Sequence, residues 1–156
     1  MTTPALIADL MRDEGFRSEA YPDPKSGGPP WTIGYGHTGP EVHPGLVWSL
    51  GQAAAALSAD IAAVCAGLTT GLPWWTNLDP VRQDVLANIA FNLGVHGLLE
   101  LPKTLSDVRC GNYAFASAEM LLSDWARDPP EGVGMRAARL AAMMKTGARP
   151  HPSESA

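Results

Sequence analysis

The chain is short of cysteine: Cys65 and Cys110 stand far apart with no paired spacing. That argues against a disulfide scaffold and a zinc site, and it leaves two small apolar residues in a chain suited to a reducing compartment. Cations are also few. Eleven Lys and Arg against sixteen Asp and Glu give a formal net charge of −5, with no basic stripe. Phosphate backbones are held by clustered cations, so no nucleic acid partner is expected. An acidic chain is not drawn by charge to an anionic surface, so affinity for one must come from pocket contacts. The four histidines, His37, His43, His96 and His151, lack ligand spacing, and neither a metal site nor a cofactor is expected. Between Met1 and Arg12 no long apolar run occurs, because Asp9 interrupts it. Neither a signal peptide, a signal anchor nor direct membrane insertion is therefore expected. There is no internal repeat and no low-complexity tract. What remains is an ordinary globular balance, 46% hydrophobic and 17% charged, in which nothing demands more than a monomer.

Thr3-Pro4 suits a helix start, and Ile7, Leu10, Met11 and Glu14 follow at helical spacing before Gly15 ends the run. From Arg17 to Pro44, prolines and glycines punctuate short segments, which predicts a small antiparallel sheet. Within it, Trp31 to Thr38 is expected as one strand, with Trp31, Ile33, Tyr35 and His37 on a bulky face and Thr32, Gly34, Gly36 and Thr38 on a bare one. A bare face lets a broad ligand approach the backbone, and Thr32 could position a water; equally, the glycines could simply permit a bend. Ser49 and Gln52 form a capping box ahead of an alanine-rich helix through Leu68. Thr69 to Asn77 is predicted as a loop, and Asp79-Pro80 opens a helix that Gly94 closes. Helices are predicted at Thr104–Arg109, from Asn112 through Trp125, and over Met135–Lys145, the last ending at Gly147. The methionines Met135, Met143 and Met144 are assigned to the core. Trp74 and Trp75 could stack on a ligand or fill a gap between lobes, the second being the commoner use of such aromatics.

The expected fold class is α+β: one domain over 1–149, in two lobes with a cleft between them, and a frayed tail at 150–156. The N-terminal lobe with the short sheet covers about 12–48 and the connecting helix about 49–68. The all-helical C-terminal lobe covers about 77–149, with helix 3–14 packing on it.

Cleavage of a glycosidic bond needs two carboxyl groups in unlike environments, one protonated and one ionised. Glu14 suits the first role, since it extends an apolar stripe and lies at the negative end of a helix dipole, both of which favour the protonated acid. Its neighbour Asp13 is turned about 100° away and is expected to face solvent. Asp23, held between Pro22 and Pro24, is the better second carboxylate.

These residues together resemble the phage-type lysozymes, the T-even phage lysozyme family of glycoside hydrolases. The resemblance rests on Glu14-Gly15-x-Arg17-x-x-Ala20-Tyr21-x-Asp23 followed by Thr32-Ile33-Gly34-Tyr35-Gly36-His37-Thr38. Phe91-Asn92-Leu93-Gly94 and Arg136-Ala137-Ala138-Arg139 with Lys145-Thr146-Gly147 extend it to roughly residues 5–149. It implies a lysozyme-like fold and a muramidase (endolysin) that hydrolyses the β-1,4 bond between N-acetylmuramic acid and N-acetylglucosamine in bacterial peptidoglycan, with inversion. Glu14 would be the acid, with Asp23 and Thr32 holding the water. Gly36, Thr38, Phe91 and Thr104 would bind substrate. Arg136 would face and orient Glu14, and His37 would pair structurally with Asp60. Glu119 stands where the family prototype has an amide, and the loop from Asp23 to Thr32 is longer than the shortest family version. The implied setting is the bacterial host cytoplasm before lysis, with a separate hole-forming membrane protein giving access to the wall. Two other readings share these residues: a lytic transglycosylase, which needs no water-holding pair, and an inactive wall-binding module.

Overall fold

The computed structural model describes residues 3–24, 26–127 and 133–150. Lys25 of the loop after Asp23, and the tail from 151 onward, lie outside the described residues. The chain divides into two compact units, 1–63 and 64–156, and the α+β class holds: a three-stranded antiparallel sheet and, among the described residues, seven α-helices.

In the first unit, helix α1 (Pro4–Glu14) begins as its sequence dictates, with Thr3 accepting a hydrogen bond from the Leu6 amide at 3.0 Å. It ends at Gly15, whose positive φ lets its amide reach back to the Met11 carbonyl. The buried stripe differs from the expected one. Leu6, Asp9 and Leu10 are buried, and the Asp13 side chain is 5% exposed. The 6-9-10-13 spacing is a single helix face, so Asp13 turns inward and Ile7, Met11 and Glu14 form its half-buried flank.

The sheet consists of β1 (Arg17–Tyr21), β2 (Thr32–Gly34) and β3 (His37–Thr38). The single strand expected over Trp31–Thr38 is thus a hairpin, turning at Tyr35-Gly36 where Gly34 and Gly36 both take positive φ. Its register sets Thr32 opposite Thr38 and Ile33 opposite His37. Opposed residues share a face, so the expected division of side chains between faces survives the turn. Below the sheet, Ala20, Ile33 and Val42 form a small core roofed by Trp31, Leu46 and Trp48. The free edge of β1 is bonded by the 46–48 segment, through Ala20 N to Leu46 O and Trp48 N to Ser18 O.

Helix α2 (Leu50–Gly71) starts at the capping box: the Ser49 amide donates to Gln52 Oε1 at 2.9 Å and the Gln52 amide to Ser49 Oγ at 3.3 Å. It outruns its expected end, because Thr69 and Thr70 bond back to Cys65 and Ala66 carbonyls instead of breaking the helix. The boundary between the two units falls inside it. By length and composition α2 could cross a membrane, yet Asp60 at its middle is bound to His37. Its Ala53, Leu57 and Ile61 are buried.

The second unit is helical. A 3-10 turn at Pro73–Asn77 replaces the expected loop and buries Trp75, whose indole donates to the Gln83 carbonyl. Trp75 is therefore core and no stacking platform, while Trp74 is half-buried. Helix α3 (Pro80–Leu99) is capped by Asp79 and bends at Gly94, where backbone conformation is non-helical. Its last turns close on α2 where glycines make room: Gly67 faces Val95, and Gly71 faces Leu99. Then come α4 (Pro102–Arg109), α5 (Tyr113–Leu122), α6 (Asp124–Arg127) and α7 (Val133–Thr146). The run expected from Asn112 through Trp125 is broken at Ser123, whose hydroxyl donates to the Met120 carbonyl and accepts from the Ala126 amide. Met143 and Met144 are buried, but Met135 is 82% exposed. It lies on the α7 face of Ala142, opposite Leu140 and Met144. Arg82 ties the unit together, donating to the Met144 and Lys145 carbonyls at the end of α7, pairing with Asp79 and lying over the Tyr113 ring.

Candidate active site

Glu14 is the last residue of α1 and is half-buried. The chain reverses at Gly15, and Phe16 then packs its ring on Tyr35, with centroids 5.6 Å apart. That contact brings the end of α1 to the hairpin turn. The Glu14 carboxylate consequently rests over Gly36: a methyl group added there would lie 3.4 Å from Glu14 Oε2. The positive φ of 82° is what calls for glycine at Gly36, since the carboxylate lies at ordinary contact distance. Gly34 plays a different part, since Trp48 and Ala53 already fill the space beside it.

Asp23 and Thr32 stand at the two feet of the loop that joins β1 to β2, because Tyr21 pairs with Thr32. The loop closes on itself. The Asp23 amide donates to the Gly28 carbonyl at 2.9 Å and the Gly27 amide to the Asp23 carbonyl at 2.8 Å. Ser26 adds bonds to Gly28 and Pro29. The extra length therefore forms an appendage beyond Asp23, whose own backbone is held on both sides. Thr38, opposite Thr32, is exposed.

His37 follows the turn. Nδ1 is 2.7 Å from Asp60 Oδ2, the pairing that the resemblance implies, and Nε2 is 2.8 Å from Glu41 Oε1. Burial opposes the ring's charge, but the hydrogen bonds and charges of Glu41 and Asp60 outweigh it and raise the His37 pKa. The His37 hydrogen bond, in turn, lowers the Glu41 pKa. Glu41 was not legible beforehand. It lies in a loop, where spacing from His37 fixes no geometry.

The remaining candidates belong to the second unit. Arg136 is buried, donating from Nε to Asn88 Oδ1 at 2.8 Å. Phe91 is half-buried, three residues before the Gly94 bend. Thr104 is 3% exposed and lines a groove with Lys103 and Glu119, which form an ion pair. A larger hollow of about 510 Å³ adjoins it, walled in part by Leu93, Leu122 and Trp125. The Trp125 indole donates to Asn92 at 2.8 Å, tying α6 to α3. No group of three metal-ligating side chains occurs among the described residues.

The first unit thus carries Glu14 over Gly36 at the hairpin turn, and Asp23 and Thr32 at the feet of the β1–β2 loop. The family model for phage lysozyme matches residues 11–141, a span that includes every residue placed at this site. An endolysin of Bacillus phage B103 is 33% identical over 111 residues, 69% of this chain and 40% of the relative. The chain therefore spans about two fifths of that relative's length. With the family match covering most of its length, the chain belongs to the phage lysozyme family.

Proposed function

We propose that this protein is a muramidase of the endolysin kind. It degrades bacterial peptidoglycan by hydrolysing the β-1,4 bond between N-acetylmuramic acid and N-acetylglucosamine. The observation that carries this reading is the placement of the Glu14 carboxylate over Gly36 at the end of α1, in the same unit as Asp23 and Thr32. Glu14 gives its proton to the leaving oxygen, while Asp23 and Thr32 hold and activate the attacking water. A water placed between sugar and carboxylate inverts the anomeric carbon. The family resemblance gives Arg136 an orienting part and gives Thr38, Phe91 and Thr104 contacts with the glycan. The family and the name of the phage relative support a wall substrate and a role in host lysis. In that role the protein acts as a monomer, is stored in the host cytoplasm, and reaches the wall through a separate hole-forming membrane protein.

The test is turbidity loss of purified walls with wild type beside Glu14→Gln, which keeps shape but has no proton to give. A loss of about 10²-fold or more is expected, the scale of removing a general acid. Equal lysis by both proteins would sink the reading. A reducing-end sugar among the products supports hydrolysis; an anhydro sugar would replace it with transglycosylation.

A further inference from the structure

His37 carries a carboxylate on each ring nitrogen, Asp60 on Nδ1 and Glu41 on Nε2. An ionised carboxylate only accepts, and a neutral imidazole has a single N–H. Both bonds together therefore require the doubly protonated, positively charged ring. Asp60 comes from α2 and Glu41 from the segment after β3. Among the described residues these are the charged groups that meet the ring, and Trp48 covers one of its faces at 5.2 Å between centroids.

A glycine makes the seat for Glu41. A methyl group on Gly39 would collide with the Glu41 carboxylate, although the Gly39 backbone is in a region open to any residue. The clamped ring is the residue immediately after Gly36, and Ile33 opposite it is buried in the small core. The turn that supports Glu14 thus has Ile33 anchoring one strand and His37 anchoring the other.

We propose that Glu41 is a positioning residue for Glu14: with Asp60 it clamps the His37 imidazolium, which fixes β3 and so holds the Tyr35-Gly36 turn on which the Glu14 carboxylate rests. When His37 gives up its second proton to water, it can donate to only one carboxylate. Glu41, more exposed than Asp60, is the partner released. The turn then loses one of its anchors, and the acid is no longer held in place. The effect on activity rests on the muramidase reading; the clamp itself does not.

Two variants test this. Glu41→Gln keeps the length but removes the charge. Gly39→Ala keeps Glu41 and drives its carboxylate off the ring. In both, the His37 ring followed by NMR is expected to titrate at lower pH than in wild type, with the Gly36 amide titrating alongside it. The alkaline limb of kcat for wall lysis should move down in step, with KM within about twofold. Near pH 7.5 the loss in kcat should be about three- to tenfold, the scale of a loosened rather than a missing acid. An alkaline limb that stays put while His37 shifts would reduce the clamp to a stability feature and overturn the proposal. So would a Gly36 amide blind to His37. If wild type fails to lyse walls, the muramidase reading falls, and co-titration of Gly36 with His37 still decides for or against the clamp.

Discussion

The two units are built on different physics. The second is a helical body whose α3 buries Val85, Leu86, Ile89 and Ala90 in succession, and whose helix ends are tied by Arg82. In the first, a short sheet covers the small cluster of Ala20, Ile33 and Val42, and the other buried apolar residues come from α1 (Leu6, Leu10) and α2 (Ala53, Leu57, Ile61). It depends on glycine geometry, a capping box and charged hydrogen bonds around His37. Apolar burial is roughly proportional to area and indifferent to direction, whereas a clamped imidazolium is directional and conditional on pH. The proposed acid and its water-holding partners therefore lie in the unit that carries the His37 bonds. That is consistent with a site that must hold a carboxylate against a bare turn rather than bury it.

Four outcomes would break or sharpen that contrast. The largest is in activity. Glu14→Gln should lose about 10²-fold or more in wall lysis, with a thermal midpoint close to wild type. A large fall in that midpoint would mean that Glu14 is a structural residue of the first unit. The converse change is Ile89→Ala in the second unit, at a fully buried site. It should cost about 2–5 kcal/mol in denaturant unfolding while leaving the residual folded protein active. A cost under about 1 kcal/mol would deny the second unit its tight core.

The third concerns pH. His37 has a raised pKa, so its stabilising effect is complete below its ordinary value and is lost as pH climbs through the raised one. Glu41 and Asp79 have lowered values, so theirs is complete above the ordinary carboxylate range and is lost as pH falls. For Asp79 burial opposes ionisation, and the bonds from Arg82 outweigh it. The first unit should therefore weaken toward mildly alkaline pH, a trend that Asp79 of the second unit, whose contribution is complete there, would not follow. Amide exchange at Ile33 and Ile89, compared at about pH 6 and 8.5 after correction for intrinsic rates, reads this out. Equal change at both would erase the contrast. The smallest effect is Ser49→Ala, which removes one half of the capping box and should cost about 1 kcal/mol; no change would show that Gln52 alone caps α2.

Local chemistry made much of this molecule legible in its residues. Thr3-Pro4, Glu14-Gly15, Ser49 to Gln52 and Asp79-Pro80 mark helix ends through neighbouring atoms, and each stands where expected. The Asp60 partner of His37 was legible through the family resemblance. Features set by distant atoms were not. The alternation over Trp31–Thr38 fits one strand or a symmetrical hairpin equally well, because a turn that pairs Ile33 with His37 preserves which residues share a face. Asp13 reads as a surface carboxylate until its face of α1 is seen to carry Leu6 and Leu10. Ser123 breaks a helix with one hydroxyl, and Met135 is exposed because the buried face of α7 is set by its neighbours.

The sequence by itself determined the family and the starts of α1, α2 and α3, since a helix cap depends on bonds within a few residues. Only the tertiary structure decided that Gly36 is the floor beneath Glu14, that Gly39 makes room for Glu41, and that His37 is held from both sides. Those are contacts between segments that chain order leaves apart, and their geometry comes into being only when the sheet, the turn and α2 have closed around one ring.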